Sequence, residues 1–409
     1  MIKEKYTNKV QETTLNIVQT AVESVRKKDI VKTGLRLYDN GCIGVSGAIG
    51  KYDEKDLEQR ARQALEMKIP YDFAVGKDHR EHVDITPEII ADEEFVAEME
   101  ELLAEIREQQ PAFSCFNKIR LVEQSVGLNN DSGLDLKFHD RQIAVELGIK
   151  EKKSANLFDA FSAYQGRAYD RQKVLEMTNE ICNAFLNPVE LPQGKKLPVV
   201  FNARDFLSLK QLMMDLHGQR FATGSSLLSG KQGQQVFSND FTLYQSLHPD
   251  DCIQPFFDAE GVVNPEYRYT LIDQGKVVGP YTDKRTAAQF DLPLTGSAGA
   301  EYDSVPSLSY QNFKIKESEK TLKELLQGQM GIFVMIAAGG DFTSSGDFGT
   351  PVQLAFLFDG ENLIGKLPEL QLASSVYDMF GKDFVGVGKN LLSDLSNDKY
   401  MVMEMKVSK

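Results

Sequence analysis

The segment Asn187-Pro188-Val189-Glu190-Leu191-Pro192-Gln193-Gly194 constrains this chain more than any other. Its prolines and glycine can continue neither a helix nor a central strand, so it reads as a boundary between two units. Before it, helical stripes alternate with strand-like runs. After it, short apolar runs are separated by glycine-rich turns such as Gln274-Gly275-Lys276, Ala338-Gly339-Gly340-Asp341 and Phe358-Asp359-Gly360-Glu361. The expected class is α+β. A mixed N-terminal domain with helices and antiparallel hairpins would span residues 1–190, and a strand-dominated C-terminal domain residues 195–409.

Within the first unit, Thr14, Val18, Val22 and Val25 recur at helical spacing and predict a helix. Leu35 and Leu37, the Asp39-Asn40-Gly41 turn and the run Cys42 to Ile49 predict a hairpin. Gly41, Gly44, Gly47 and Gly50 recur every three residues, which points to close backbone approach. Asp53 should cap a helix reaching to near Met67. Thr86-Pro87-Glu88-Ile89 reads as the start of another, which carries Phe95, Met99, Leu102, Leu103 and Ile106 inward and ends at Pro111. Ile119, Leu121 and Val126, then Leu136 and Phe138, predict two strands joined by Asn129 to Gly133. Asp170 opens a helix with Leu175, Ile181, Cys182, Phe185 and Leu186 on its apolar face. In the second unit Leu197 to Phe201 reads as a buried strand. Ala203 to His217 reads as a helix with Phe206, Leu209, Leu212, Met213 and Leu216 inward, and Ser318 to Leu326 as a short helix.

Composition narrows the function. No apolar run reaches the roughly 18 residues of a membrane helix; the longest, Gly331 to Ala338, is strand length. Met1 to Thr20 is polar, so neither a signal peptide nor a membrane partner is expected. The net charge of −14 repels phosphate backbones, and no nucleic-acid partner is expected. Cys42, Cys115, Cys182 and Cys252 are widely spaced, which fits free thiols in a reducing, cytoplasmic compartment.

A catalytic centre is hard to place. A zinc hydrolase needs about three protein ligands and an open position for water. His79 and His82 are the only close histidine pair among five histidines, and their charged surroundings read as an exposed loop. No nucleophile elbow or phosphate loop is present.

In the C-terminal half, Phe257-Asp258-Ala259-Glu260-Gly261-Val262, Leu294-Thr295-Gly296-Ser297-Ala298-Gly299, Gln329 to Val334, Ser345-Gly346-Asp347-Phe348, and Leu354 to Leu363 nonetheless resemble segments of the TldD/PmbA (TldE) metallopeptidase family. Leu35 to Gly41 matches more weakly. Catalytic members of that family carry His-Glu-x-x-x-His on the first helix of the C-terminal domain and a later cysteine. Aligning Ser225-Ser226-Leu227-Leu228-Ser229-Gly230 with the family's T-S-x-x-S-G puts Leu212 at the first histidine, Met213 at the glutamate and His217 at the second histidine. Lys382 to Lys409 contains no cysteine.

The resemblance therefore implies a TldE/PmbA-type subunit with no catalytic residues and no metal of its own. Zinc is expected in a TldD-type catalytic partner with which it forms a heterodimer acting on peptides; a homodimer is the other assembly. An extended peptide would add to a strand near Gly339, Gly340, Asp341 and Phe342. Two alternatives stand beside this. One is an active peptidase with a non-standard metal site at His79, His82 or His217. The other is a homodimeric peptide-binding protein. The family's label as a modulator of DNA gyrase finds no support in the −14 charge.

Overall fold

In the computed structural model, residues 1–337 and 339–409 are described; Ala338, in the turn expected at Ala338 to Asp341, lies outside them. The N-terminal residues form strands and not the expected helix. β1 (Ile2–Val18) and β2 (Ala21–Asp39) pair along their whole length through a tight turn in which Gln19 and Thr20 both have positive φ. The valines that suggested a helix are β-branched, and cross-strand packing decides their conformation. The second hairpin is as expected, with β3 (Cys42–Ile49) returning along β2. Asp53 caps α1 (Glu54–Leu65) by accepting the backbone N–H groups of Lys55 and Asp56. Gly44 lets this helix sit on β3, because a Cβ there would lie 2.3 Å from the Ala61 carbonyl.

β4 (Ile69–Pro70) borders β3. β5 (His79–Ile85) is a strand where a loop was expected, running parallel to residues 134–140. The proline start signal at Thr86-Pro87 is not used. α2 (Phe95–Gln109) begins only where the apolar stripe begins, and all five stripe residues are buried. Burial, not the local start signal, sets that boundary. β6 (Phe113–Asn130) and β7 (Leu134–Glu151) make a long hairpin, and β8 (Ala160–Gly166) pairs with the second half of β7. The sheet order is β4-β3-β2-β1-β6-β7-β5, with β8 beside β7. α3 (Arg171–Phe185) follows its Asp170 cap; Leu186, just beyond it, is exposed.

The second sheet opens with β9 (Leu197–Asn202), followed by α4 (Phe206–Asp215) and α5 (Gly218–Ala222). α4 ends before His217, and Phe206, at its first turn, is 65% exposed and not inward. β10 (Leu243–Ser246), β11 (Arg268–Asp273), β12 (Lys276–Val277) and, after α6 (Lys284–Phe290), β13 (Ala298–Gly299) and β14 (Ser307–Leu308), the strand β15 (Phe313–Ile315) build two small antiparallel sheets. α7 (Leu322–Leu326) is shorter than expected and starts at a capping box between Thr321 and Glu324. β16 (Gly331–Ala337), β17 (Asp341–Phe342), β18 (Asp347–Phe358), β19 (Leu363–Lys366), β20 (Leu370–Ser375), α8 (Val376–Met379), β21 (Phe384–Val387) and β22 (Tyr400–Ser408) complete the chain.

β16 pairs with β9 on one side and with β18 on the other, so β16-β9-β22-β20-β18 closes into a ring. Alternate residues face opposite sides of it. Val199, Ile332, Met401 and Met403 pack with Leu209 and Leu212 of α4. Val200, Phe333, Phe356 and Val402 instead pack with Leu15, Ile106 and Ile181, so the two large sheets share a core.

Candidate functional site

α4 is amphipathic, and its inward face supplies Leu212 and Met213, both buried. They sit in the apolar cluster behind the ring. His217 is not on this helix. It precedes the first residue of α5, half-buried, with its ring edge-on to Tyr281 at 5.6 Å. Its Nδ1 is buried without a hydrogen-bond partner, and burial, then the nearby Arg220, lowers its pKa. The three positions therefore supply one nitrogen donor, two apolar side chains and no carboxylate. That donor set does not fit a catalytic zinc.

His79 and His82 do not complete it. Odd spacing in a strand puts them on opposite faces of β5. His79 contacts Glu81 at 2.9 Å and His82 contacts Asp135 at 3.1 Å. Among the described residues, no group of three His, Cys, Asp or Glu side chains is arranged to hold a metal ion.

Asp215, which the sequence reading passed over, organises the end of α4. It is buried, and Oδ1 accepts the Leu227 N–H at 2.8 Å while Oδ2 accepts from Gln211 at 2.7 Å. Its backbone carbonyl accepts the Ser226 hydroxyl. The Ser225 to Gly230 turn is thus fastened to the helix. A lone acid amid Leu212, Met213, Met214 and Leu216 was the signal in the sequence.

In front of β16 lies a cleft of about 980 Å³. One wall comes from β8 and α3, through Phe161, Tyr164, Met177 and Glu180. The opposite wall is β16 itself, Phe333 to Ala337, and the Leu391 to Asp398 segment forms a third side. β16 pairs with β9 only at Ile332 and Phe333. Beyond them Val334 to Ala337 line the cleft with no strand partner on that side among the described residues. Register shifts against β18 fall in this same stretch, at Val334/Ile336 and Ile336/Ala337. Such bulges commonly re-aim a strand beside a site. A second cleft of about 460 Å³ shares Asp394, Ser396 and Asp398 with the first.

Gly339, Gly340, Asp341 and Phe342 leave the end of β16 and are not among the residues lining this cleft. Asp341 pairs with Lys210 of α4 at 2.8 Å, and Phe342 packs on Phe348 at 4.7 Å. A Cβ on Gly340 would lie 2.3 Å from Thr350.

The family-like segments converge elsewhere. Asp258 is fully buried and accepts the backbone N–H groups of Glu260, Val262 and Ala298, each at 2.9 Å. Glu260 accepts the Tyr71 hydroxyl at 2.6 Å and the Lys284 N–H at 2.9 Å. Arg36 donates to the Ala259 carbonyl at 2.5 Å and to Glu4 at 3.2 Å, and Tyr38 donates to Glu4 at 2.8 Å. Burial and the neighbouring Glu260 push the Asp258 carboxyl up to about 7 against the pull of its three donors. Burial likewise raises Glu260 and Tyr71. This is a polar joint between β1–β2 and the second half of the chain.

Residues 194–408, just over half of the chain, match the family model described as the PmbA/TldA metallopeptidase C-terminal domain. The chain belongs to the PmbA/TldD family. Its fold is similar to that of TldE from Thermococcus kodakarensis, with a TM-score of 0.82 and 17% identity over 100% of this chain and 97% of that one. A Thermotoga maritima protein proposed as a modulator of a DNA gyrase superposes with a TM-score of 0.77 and 16% identity over 100% and 96% of the two chains. In sequence, an uncharacterised protein of Methanocaldococcus jannaschii is 23% identical over 391 residues, 91% of this chain and 88% of that one. A metalloprotease of Methanothermobacter thermautotrophicus is 24% identical over 169 residues, 41% of this chain and 37% of that one. No described helix is long and apolar enough to cross a membrane.

Proposed function

We propose that this chain is the non-catalytic, TldE-type subunit of a two-subunit peptidase whose zinc is held by a TldD-type partner. The observation that carries this reading is the chemistry of α4. Leu212 and Met213 are core residues, and neither can polarise a water molecule. The structural likeness to a TldE supports the same assignment. The cleft in front of β16 then has a role as a peptide-holding surface. An extended peptide laid along Val334 to Ala337 would satisfy backbone groups that β9 leaves unpaired, and such pairing tolerates many sequences. Free thiols at Cys42, Cys115, Cys182 and Cys252 fit a cytoplasmic setting.

The test is reconstitution. The purified chain, supplied with zinc, should cleave no unfolded peptide. Co-expressed with a TldD-type subunit it should co-purify as an equimolar complex with peptidase activity, and His217→Ala should leave that activity in place. Hydrolysis by the isolated chain that is lost in His217→Ala would overturn the assignment.

A further inference from the structure

The cleft is unevenly charged. Glu176, Glu180, Asp205, Glu361, Asp394 and Asp398 line it, against a single cationic side chain, Lys173. Most of these acids are already answered. Lys173 pairs with Asp394, Arg204 with Asp398 and Lys323 with Glu361, while Asp205 caps α4. Glu176 meets only the Gln172 amide, and Glu180 has no side-chain donor among the described residues. Glu180 Oε1 accepts the Leu363 N–H at 2.7 Å, and no described residue donates to Oε2. No cation pairs with it among the described residues.

Glu176 lies one helical turn before Glu180 on the same face of α3. Two carboxylates at that spacing repel each other and weaken an isolated helix. Burial and the nearby Asp359 also raise the Glu180 pKa, so the carboxylate is held where its charge is poorly solvated. The surroundings are apolar and accessible. Met177, Phe333 and Phe358 share the cleft with it, and Phe158 and Phe161 are exposed at its rim. An occupant that relieves this arrangement must bring a cation to Glu180 and apolar surface to the rim aromatics.

Resting on the peptide-holding reading, we propose that the cleft selects extended peptides in which a lysine or arginine neighbours an apolar residue, with the basic side chain received by Glu180 Oε2. The backbone of such a peptide pairs with Val334 to Ala337. Its basic group makes a charge-assisted hydrogen bond to a cleft carboxylate that no described cation pairs with. The apolar side chain lies against Phe161. Acidic peptides are repelled by the same lining.

The experiment is fluorescence anisotropy on the full chain with three labelled peptides that differ only in carrying Lys, Gln or Glu at one central position. The Lys peptide should bind best, with the Gln peptide roughly tenfold weaker, as for one lost charge-assisted hydrogen bond. The Glu peptide should be weaker still. In Glu180→Gln, which keeps an acceptor for the Leu363 N–H, the Lys and Gln peptides should converge. Phe161→Ala should weaken all three alike. Equal binding of the three peptides to the wild type, with Phe161→Ala still weakening them, would overturn charge selection and leave the cleft reading standing. A preference for Lys that survives in Glu180→Gln would overturn the assignment to Glu180. Binding of none of them would overturn both the selection and the cleft reading.

Discussion

The polar joint around Asp258 and the cleft around Glu180 treat carboxylates in opposite ways. In the joint, Glu4, Asp258 and Glu260 are buried, and each is held by several donors, at least one of them distant in the chain. In the cleft, Glu180 has one backbone donor and a free oxygen, and the strand behind it has an unpaired edge. A closed network fixes architecture, because removing any member strands a buried partner. An open one is available to a ligand. The family-like segments of this chain mostly build the joint and the ring, which is why they identify the fold well and say little about the chemistry.

Mutation should separate the two regions sharply. The largest effect belongs to Arg36→Met. Arg36 is 1% exposed and faces an equally buried Glu4, and stranding such a charge costs about 3–5 kcal/mol. Urea denaturation should show this, and adding Glu4→Gln should recover part of the loss. Asp258→Ala removes three backbone hydrogen bonds and should cost about 3 kcal/mol by the same measurement, at about 1 kcal/mol each. If either variant proved as stable as the wild type, the joint would not be the structural element described here.

The joint should also show in pH dependence. The folded Asp258 holds its proton up to about 7, against an ordinary value of 3.8, so the folded state binds more protons than the unfolded state in that window. The stabilisation is fully present below the ordinary value and is lost as pH rises through about 7. The stability difference between wild type and Asp258→Asn should therefore shift against the wild type over that range and then flatten. A constant difference would contradict the raised carboxyl.

Cleft variants should barely register in stability. Glu180→Gln removes an unpaired charge and keeps its acceptor, so the change should stay within about 0.5 kcal/mol. Lys210→Ala, which breaks an exposed pair with Asp341 outside the cleft, should have the smallest effect of all in thermal unfolding. A large loss from Glu180→Gln would mean that the cleft wall carries structure as the joint does.

Much of the fold was legible in the sequence wherever local chemistry and burial agree. Asp39-Asn40-Gly41 made its turn, Asp53 and Asp170 capped their helices, and Phe95 to Ile106 buried its stripe. The reading failed where tertiary pairing overrode a local signal. The valines of Val18 to Val25 fell by accident at helical spacing, and Thr86-Pro87 advertised a start that no apolar stripe follows for several residues. His79 and His82 became strand residues because β7 offers them a parallel edge some fifty positions away in sequence. The burial of Leu212 and Met213 was legible from the apolar stripe of one helix. The cleft was not, because its walls come from α3, β16 and Leu391 to Asp398, and nothing local marks Glu180 as an acid with no described cation beside it.

The central claim is that α4 cannot hold zinc, and metal content tests it most directly. The purified full chain is soaked in zinc, freed of excess and measured by elemental analysis. Zinc far below one per chain, unchanged in His217→Ala, is the expected result. One zinc per chain that disappears in His217→Ala would contradict it and make His217 a ligand.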